Sequence, residues 1–120
     1  MRSRTHVIIG AAIEVHNANG PGLLESAYQQ CLAHELSVRG IPFVRELPLP
    51  VFNKGVKVDC GYRLDFVVED VFVEIKSITG FEPIHMAQLL TYLKLGRWKV
   101  GLLINFNVTS LTRGIRRIVL

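Results

Sequence analysis

Apolar residues recur at helical spacing over the first forty positions. The pattern predicts one helix from Thr5 to about Asn17 and a second beginning near Leu24, with Gly20-Pro21 between them. Gly40 can close the second helix in a left-handed conformation. The residues expected to face inward are Val7, Ile8, Ala11, Ala12 and Val15 in the first helix and Leu24, Ala27, Tyr28, Cys31, Leu32 and Leu36 in the second.

After Gly40 the period changes to two and β-branched residues dominate. Three strands are predicted, within PFVRELPLPVF, GVKVDCGYRLDFVV and VFVEIKSI. Pro42, Pro48 and Pro50 lack the backbone N–H that a central strand donates. The first of these strands is therefore expected at an edge of a sheet.

Helical spacing returns from Glu82 to Lys94. The residues expected to face inward are Ile84, Ala87, Leu90 and either Leu93 or Leu95. The following run, WKVGLLINFN, is apolar throughout, which is typical of a strand covered on both faces, and RRIVL can add a short last strand. This order of elements predicts an α/β sandwich around a mixed sheet, built as a single domain over residues 1–120.

Composition supports a globular domain. Of the 120 residues, 49% are hydrophobic and 20% are charged, and no apolar run approaches the roughly 20 residues of a membrane span. The N-terminal stretch MRSRTHVIIGAAIEVH carries a glutamate and two histidines, unlike a signal peptide, so a cytosolic protein without membrane contact is expected. Cys31 and Cys60 have no CxxC spacing and are expected to be reduced thiols, and no histidine spacing indicates zinc.

Positive charge is concentrated in the last third of the chain. The formal net charge is +4, yet residues 1–80 hold eight Lys/Arg against nine Asp/Glu, while residues 81–120 hold six against Glu82 alone. A cationic surface favours polyanions such as nucleic acid, although many basic proteins bind none.

The stretch RLDFVVEDVFVEIK places charges inside two apolar strands, Tyr62–Val68 and Val71–Ser77. Only Glu69-Asp70 separates them, so a tight hairpin is expected, with paired positions summing to 139. In that register Asp65 faces Glu74 with Cβ atoms roughly 5 Å apart. Lys76 shares the face of Glu74 because strand side chains alternate.

Two opposed carboxylates under a helix repel each other and lose hydration, and a divalent cation relieves both costs. Mg²⁺ is commonly held by one or two carboxylates, and a neighbouring lysine can orient water or offset phosphate charge, as in phosphodiester cleavage. The alternative is an ordinary ion pair of Lys76 with Glu74 or Asp65 on a solvent-facing sheet, which is the better reading of the tripeptide by itself. Val71, Val73 and Ile75 on one face and Phe72 on the other favour a strand buried on both sides, where solvent does not explain the charges.

Asp65 followed by Glu74-x-Lys76, between an upstream and a downstream helix, resembles the PD-(D/E)xK nuclease superfamily. Gly22-Leu-Leu-Glu25-Ser-Ala-Tyr28 is similar to the signature of the GxxExxY protein family within it, and GYRLDFVVED, QLLTYLKL and VGLLINFNV extend the likeness from about Thr5 to Leu120. The residue before Asp65 is Leu64 where the superfamily motif has proline, a tolerant position. The resemblance implies a restriction-endonuclease-like three-layer sandwich, with a mixed central sheet of four to five strands flanked by helices, and Mg²⁺-dependent (or Mn²⁺-dependent) DNA cleavage.

Site roles follow from the same resemblance. It implies that Asp65 and Glu74 bind metal, that Lys76 is the catalytic lysine, and that Glu25 is a further metal or water contact. Gln88 and Tyr92 match a QxxxY element that supports the site and substrate in related branches. Without the resemblance, Glu25 is explained by the helix dipole, and Gln88 and Tyr92 by a polar helix edge.

The basic residues proposed to contact nucleic acid are Lys94, Arg113, Arg116 and Arg117. The alternative is a solvated rim, in which each contributes little beyond solubility. Two other functions stay open: a nucleic-acid-binding or regulatory module without turnover, and a protein-interaction module that docks a larger enzyme. A homodimer is one expectation, because small nucleases of this fold often use two sites to cut two strands. A larger partner protein that supplies specificity is another.

Overall fold

The structure is a computed structural model that describes residues 4–58 and 62–120. Within this part of the chain lie three α-helices, seven strands and one 3₁₀ turn, Leu111–Gly114. The helices are α1 (Arg4–Asn19), α2 (Glu25–Val38) and α3 (Pro83–Gly96). The strands are β1 (Val44–Pro48), β2 (Val51–Asn53), β3 (Val56–Val58), β4 (Arg63–Val68), β5 (Val71–Lys76), β6 (Val100–Asn105) and β7 (Ile115–Val119).

Five of these strands form one mixed sheet in the order β1-β4-β5-β6-β7. The pairs β1–β4, β4–β5 and β6–β7 are antiparallel, whereas β5 and β6 are parallel and are joined through α3. A parallel pair needs such a crossover, which sends α3 back along the sheet. The prediction of a mixed sheet with the proline-bearing strand at its edge is confirmed.

Two of the predicted strands are each divided. The first breaks between β1 and β2, where Pro48 and Pro50 cannot donate ladder hydrogen bonds. The second breaks between β3 and β4, and Cys60 at this break lies outside the described residues. Among the described strands, β2 and β3 pair with each other as a separate two-stranded sheet, which the sequence did not predict.

Helices cover both faces of the sheet and create two cores. One core joins α1 and α2 to the sheet through residues such as Ile8, Leu32 and Phe66. The other joins α3 to the sheet through Phe72 and Leu103. Each fully buried large apolar side chain contributes about 1.5–3 kcal/mol, so the sheet is held in place from both sides. This is the expected three-layer sandwich.

The inward faces of the first two helices are mostly as predicted, but that of α3 is not. Ile84 and Leu24 are exposed, at 55% and 77%. The buried residues of α3 are Leu89 and Leu93, which pack on Gly101 of β6, where an added Cβ would lie 3.1 Å from Leu93 Cδ2. The prediction that Ile84 and Ala87 face inward was wrong, because α3 carries apolar residues on more than one side. No helix within residues 4–58 and 62–120 has the length and apolar character to cross a membrane.

Candidate active site

The hairpin of β4 and β5 has the register that the sequence predicts. The paired residues are Phe66 with Val73, Val67 with Phe72, and Val68 with Val71. The chain reverses through Glu69-Asp70, and Glu69 takes a left-handed conformation with φ 53°. Since this register continues toward Asp65 and Glu74, the two carboxyl groups come to face each other across neighbouring strands.

Beyond the Phe66–Val73 pair, side chains replace the backbone ladder. The Ile75 N–H donates to Asp65 Oδ2 at 2.7 Å, and the Asp65 N–H lies 3.4 Å from Glu74 Oε1. Each carboxylate therefore accepts from the backbone of the hairpin's opposite strand. Both acids occupy the same gap between β4 and β5, with one oxygen of each held by the protein.

Burial makes both of these acids hold protons more tightly. Desolvation raises the pKa of Glu74 from 4.5 to about 8, and the charge of Asp65 adds to the shift, while Lys76 and the Asp65 N–H oppose it. Desolvation likewise raises the pKa of Asp65 from 3.8 to about 6, against the bond from Ile75. Two ionised carboxylates are thus unfavourable here unless further positive charge enters the gap.

Lys76 supplies part of that positive charge. Its Nζ lies 3.9 Å from Glu74 Oε2, and it lowers the pKa of Asp65 and that of Glu74. The side chain is 24% exposed, so the amine is within reach of a molecule that enters from solvent. At 3.9 Å the pair is loose, and the ammonium is free to make closer contacts than the one to Glu74.

Glu25 lies in the first turn of α2, close enough to raise the pKa of both Asp65 and Glu74. Hydrogen bonds fix the loop before it. The Leu23 N–H donates to the Tyr28 hydroxyl at 3.1 Å, and that hydroxyl donates to the Gly20 carbonyl at 2.6 Å. Ser77, directly after Lys76, donates to the Leu23 carbonyl at 2.7 Å and so joins this loop to the end of β5.

A buried asparagine holds the chain that leaves β5, and sequence reasoning missed it. Asn105 accepts from the Ile78 N–H and donates to the Ile78 carbonyl, both at 3.0 Å, and it accepts from the Asn107 N–H at 3.1 Å. Asn105 is 2% exposed and pairs with Lys76 in the parallel ladder. Its only signal in the sequence is a polar residue at the end of an apolar strand.

Arg45 is a second residue that the sequence did not point to. Its guanidinium lies 5.4 Å from the Phe66 ring centroid, and it lowers the pKa of Asp65. Its Nε is buried without a hydrogen-bond partner in the described part of the chain. Arg45 is therefore a third charged residue, after Glu25 and Lys76, whose charge shifts the pKa of Asp65.

Gln88 and Tyr92 lie on α3 and line a cavity of about 310 Å³ with Tyr62. The Tyr92 ring centroid is 6.0 Å from that of Phe72, which lies two residues before Glu74 on β5. The structure thus places both residues in a cavity of their own on the α3 side of the sheet.

The four basic residues are separated by the fold. Arg116 pairs with Leu103, which pairs with Glu74, so Arg116 shares the face of Glu74 two strands away, about 10 Å across the sheet. Arg117 pairs with Leu102 and takes the opposite face. Lys94 lies near the end of α3, about 16 Å along the axis from Pro83.

Arg116 is also the most constrained of these side chains. Its guanidinium lies 4.8 Å from the Phe81 ring centroid, and Nη1 donates to the carbonyls of Arg113 and Ile115 at 3.0 Å. Arg113 belongs to the 3₁₀ turn before β7 and is exposed. Arg116 is therefore the basic residue whose position relative to the carboxylates is best defined.

The facing carboxylates suit a hard divalent cation such as Mg²⁺, which commonly takes one or two carboxylates and completes its shell with water and phosphate oxygens. Asp65 and Glu74 would hold the ion. Over residues 4–58 and 62–120, no three or more His, Cys, Asp or Glu side chains are grouped closely enough to bind a metal by themselves. Asp65 and Glu74 are the two carboxylates that face each other here, and Glu25 lies near enough to raise the pKa of both.

One family model matches residues 2–118 of the chain, and that family is described as the PD-(D/E)XK nuclease superfamily. The match begins ahead of α1 and ends within β7, so it includes the whole of the facing-carboxylate hairpin. Neither a curated protein nor a solved structure matches the chain.

Proposed function

Because the chain belongs to the PD-(D/E)XK nuclease superfamily, we propose that it is a metal-dependent nuclease that hydrolyses phosphodiester bonds in nucleic acid, with DNA as the expected substrate. The observation that supports this most strongly is the pair of half-buried, facing carboxylates, Asp65 and Glu74, beside Lys76. Their raised pKa values indicate a gap that is short of positive charge.

In this proposal Asp65 and Glu74 hold a divalent cation, which supplies positive charge to a phosphodiester that enters the gap. Lys76 orients the attacking water or offsets charge that builds on the phosphate. Glu25, in the first turn of α2, makes a further contact to the metal or to water. Gln88 and Tyr92 support the substrate from the neighbouring cavity, and Arg113, Arg116, Arg117 and Lys94 contact its phosphates.

We further propose that the chain is a GxxExxY family member. Gly22 has φ 100°, a conformation that side-chain-bearing residues rarely adopt. Tyr28 holds the loop that leads to Glu25. In this proposal Gly22 and Tyr28 fix the loop before α2, and this loop positions Glu25, the third residue of the signature, near the site. A cytoplasmic location and a homodimer or larger partner stay predictions.

The experiment combines cation binding with cleavage. Mg²⁺ and Mn²⁺ are titrated calorimetrically into the wild type, Asp65→Asn and Lys76→Ala, and each protein is then incubated with labelled DNA and RNA. Asp70→Asn is a matched control, because the same substitution falls on the exposed turn of the same hairpin. The proposal requires cation binding and cleavage by the wild type and by Asp70→Asn. It requires loss of cation binding in Asp65→Asn and loss of cleavage, with cation binding kept, in Lys76→Ala.

A nucleic-acid-binding module without turnover is the second candidate. The basic last third of the chain, with six Lys/Arg against Glu82 alone, favours it, because such a surface attracts a polyanion whether or not the site turns over. This candidate predicts salt-dependent binding that survives Asp65→Asn and no cleavage by the wild type with either cation. Cation-dependent cleavage that Asp65→Asn abolishes excludes it.

A further inference from the structure

Tyr62, the residue just before β4, lines two cavities. A cavity of about 520 Å³ lies on one side, where Lys57 and Arg63 are among its lining residues. The cavity of about 310 Å³ that contains Gln88 and Tyr92 lies on the other. Tyr62 lines both, and the residue is 49% exposed. Tyr62 is thus the residue that the described linings of the two cavities share.

We propose that the Tyr62 ring is a stacking platform for an unpaired nucleobase, so that the protein binds nucleic acid containing single-stranded segments. This rests on the proposed function only in taking the polynucleotide as the substrate of the same site. A base that lies against one face of the ring occupies one cavity, and the next part of the strand occupies the other. Stacking of this kind is independent of sequence, because every base has an aromatic face.

The Tyr62 ring is supported from the core. Its centroid lies 5.9 Å from that of Tyr92, and the Tyr92 centroid lies 6.0 Å from that of Phe72, which is fully buried. A ring that is held by such contacts loses little conformational freedom when a base stacks on it, so more of the stacking energy remains as affinity.

The charge around Tyr62 complements a phosphodiester strand. Lys57 and Arg63 line the larger cavity, and the described residues that line the two cavities include no Asp or Glu. The smaller cavity is mainly apolar, with Ile84 and Leu95 at its wall. An apolar, aromatic surface beside two cations matches a nucleobase joined to phosphates, and a purely apolar partner would leave the cations without counter-charge.

Tyr62 is also close to the candidate active site along the chain. It precedes Asp65 by three residues of extended backbone, or about 10 Å. A strand that stacks on Tyr62 and passes Arg63 can therefore deliver a phosphate to the gap between Asp65 and Glu74. A duplex cannot do this without disruption, since its base faces are covered by their neighbours and exposing one costs a few kcal/mol.

The test measures binding without turnover. Fluorescence anisotropy follows labelled oligothymidylate, and a blunt duplex of the same length, as wild-type protein is added in EDTA. The single strand is expected to bind more tightly than the duplex. Tyr62→Ala is expected to weaken single-strand binding about 5-fold to 150-fold, the range for loss of one stacked base. Tyr62→Phe is expected to retain binding, and Tyr62→Leu to lose it, since leucine keeps apolar bulk without an aromatic face.

Phe52→Ala is the matched control, because Phe52 is an exposed aromatic residue of β2 that is absent from both cavity linings. It is expected to bind the single strand like the wild type. Equal affinity for duplex and single strand overturns the proposal, and so does unchanged binding by Tyr62→Ala. The proposal is also overturned if the wild type sediments as a dimer and Tyr62→Ala as a monomer, because this face is then a contact between two copies of the chain.

Failure of this proposal is distinguishable from failure of the nuclease proposal. Tyr62-dependent binding in EDTA, together with no cleavage when Mg²⁺ or Mn²⁺ is added, supports the platform and refutes the nuclease. The opposite pair of results is cleavage that Asp65→Asn abolishes and that proceeds at equal rates for the wild type and Tyr62→Ala on single strands. It supports the nuclease and refutes the platform.

Discussion

Replacing Glu74 by glutamine should stabilise the cation-free protein at alkaline pH and remove most of its pH dependence. Burial and the charge of Asp65 raise the pKa of Glu74 to about 8 in the folded protein, against 4.5 for the ordinary carboxyl. The folded state therefore holds this proton more tightly than the unfolded state. Its contribution to stability is fully present below about pH 4.5 and is lost as the pH rises through about 8.

The magnitude follows from the two pKa values. One pKa unit corresponds to about 1.4 kcal/mol, so the free energy of unfolding should fall by about 4 kcal/mol between about pH 5 and about pH 9 on account of Glu74 alone. That is a large share of the 5–15 kcal/mol that stabilises a typical domain. Asp65, whose pKa is raised to about 6, adds loss in the same direction at the acidic end of this range.

The assay is urea unfolding followed by circular dichroism in EDTA at a series of pH values. Glu74→Gln should equal the wild type near pH 5 and exceed it above pH 8, because glutamine stays neutral and its oxygen can still accept from the Asp65 N–H. Glu14→Gln removes one exposed carboxyl from α1 and should follow the wild-type profile. If the free energy of unfolding had the same pH dependence in the wild type and in Glu74→Gln, the reasoning would be refuted, because the fold would then not raise the pKa of Glu74.

Three further outcomes test other contacts of the site. Arg116→Ala should weaken nucleic-acid binding and reduce the slope of log affinity against log salt concentration by about one. Arg117→Ala should have the smaller effect, because Arg117 lies on the other face of the sheet. A larger effect of Arg117→Ala in a salt titration would contradict the assignment of these faces. Ser77→Ala should lower the cleavage rate with little change in the free energy of unfolding, because it removes the hydrogen bond that holds the loop before Glu25. Ser37→Ala, which loses an exposed hydrogen bond within α2, should match the wild type in both assays. Asn105→Ala should lower the free energy of unfolding by about 2–3 kcal/mol in urea, because buried polar groups lose their partners; a loss under about 0.5 kcal/mol would contradict this.

The hairpin could be predicted from the sequence because its constraints are local. A two-residue connection and strict alternation leave one register for Phe66 and Val73, and a one-residue slip would reverse every side chain. The facing of Asp65 and Glu74 follows from that register. The positions of Arg116 and Asn105 relative to these acids depend instead on the pairing of β5 with β6, which joins distant parts of the chain.

The errors have equally specific causes. The inward face of α3 was assigned from Ile84 and Ala87, yet the close approach of Leu89 and Leu93 to Gly101 decides it. The two-stranded sheet of β2 and β3 was missed because prolines mark where a strand stops without indicating what the next piece pairs with. Tyr62 was read only as part of a strand, since nothing in the sequence shows that cavities lie on both sides of its ring.

The hydrogen bond from the Ile75 amide to Asp65 Oδ2 equips the protein with its own spectroscopic probe. A bond to an ionised carboxylate is markedly stronger than one to a neutral acid, so the Ile75 amide proton should resonate further downfield once Asp65 loses its proton. Since Oδ2 is already engaged, an incoming ligand meets Oδ1, and the ¹⁵N–¹H signal of one backbone position would record its arrival without any label in the gap itself.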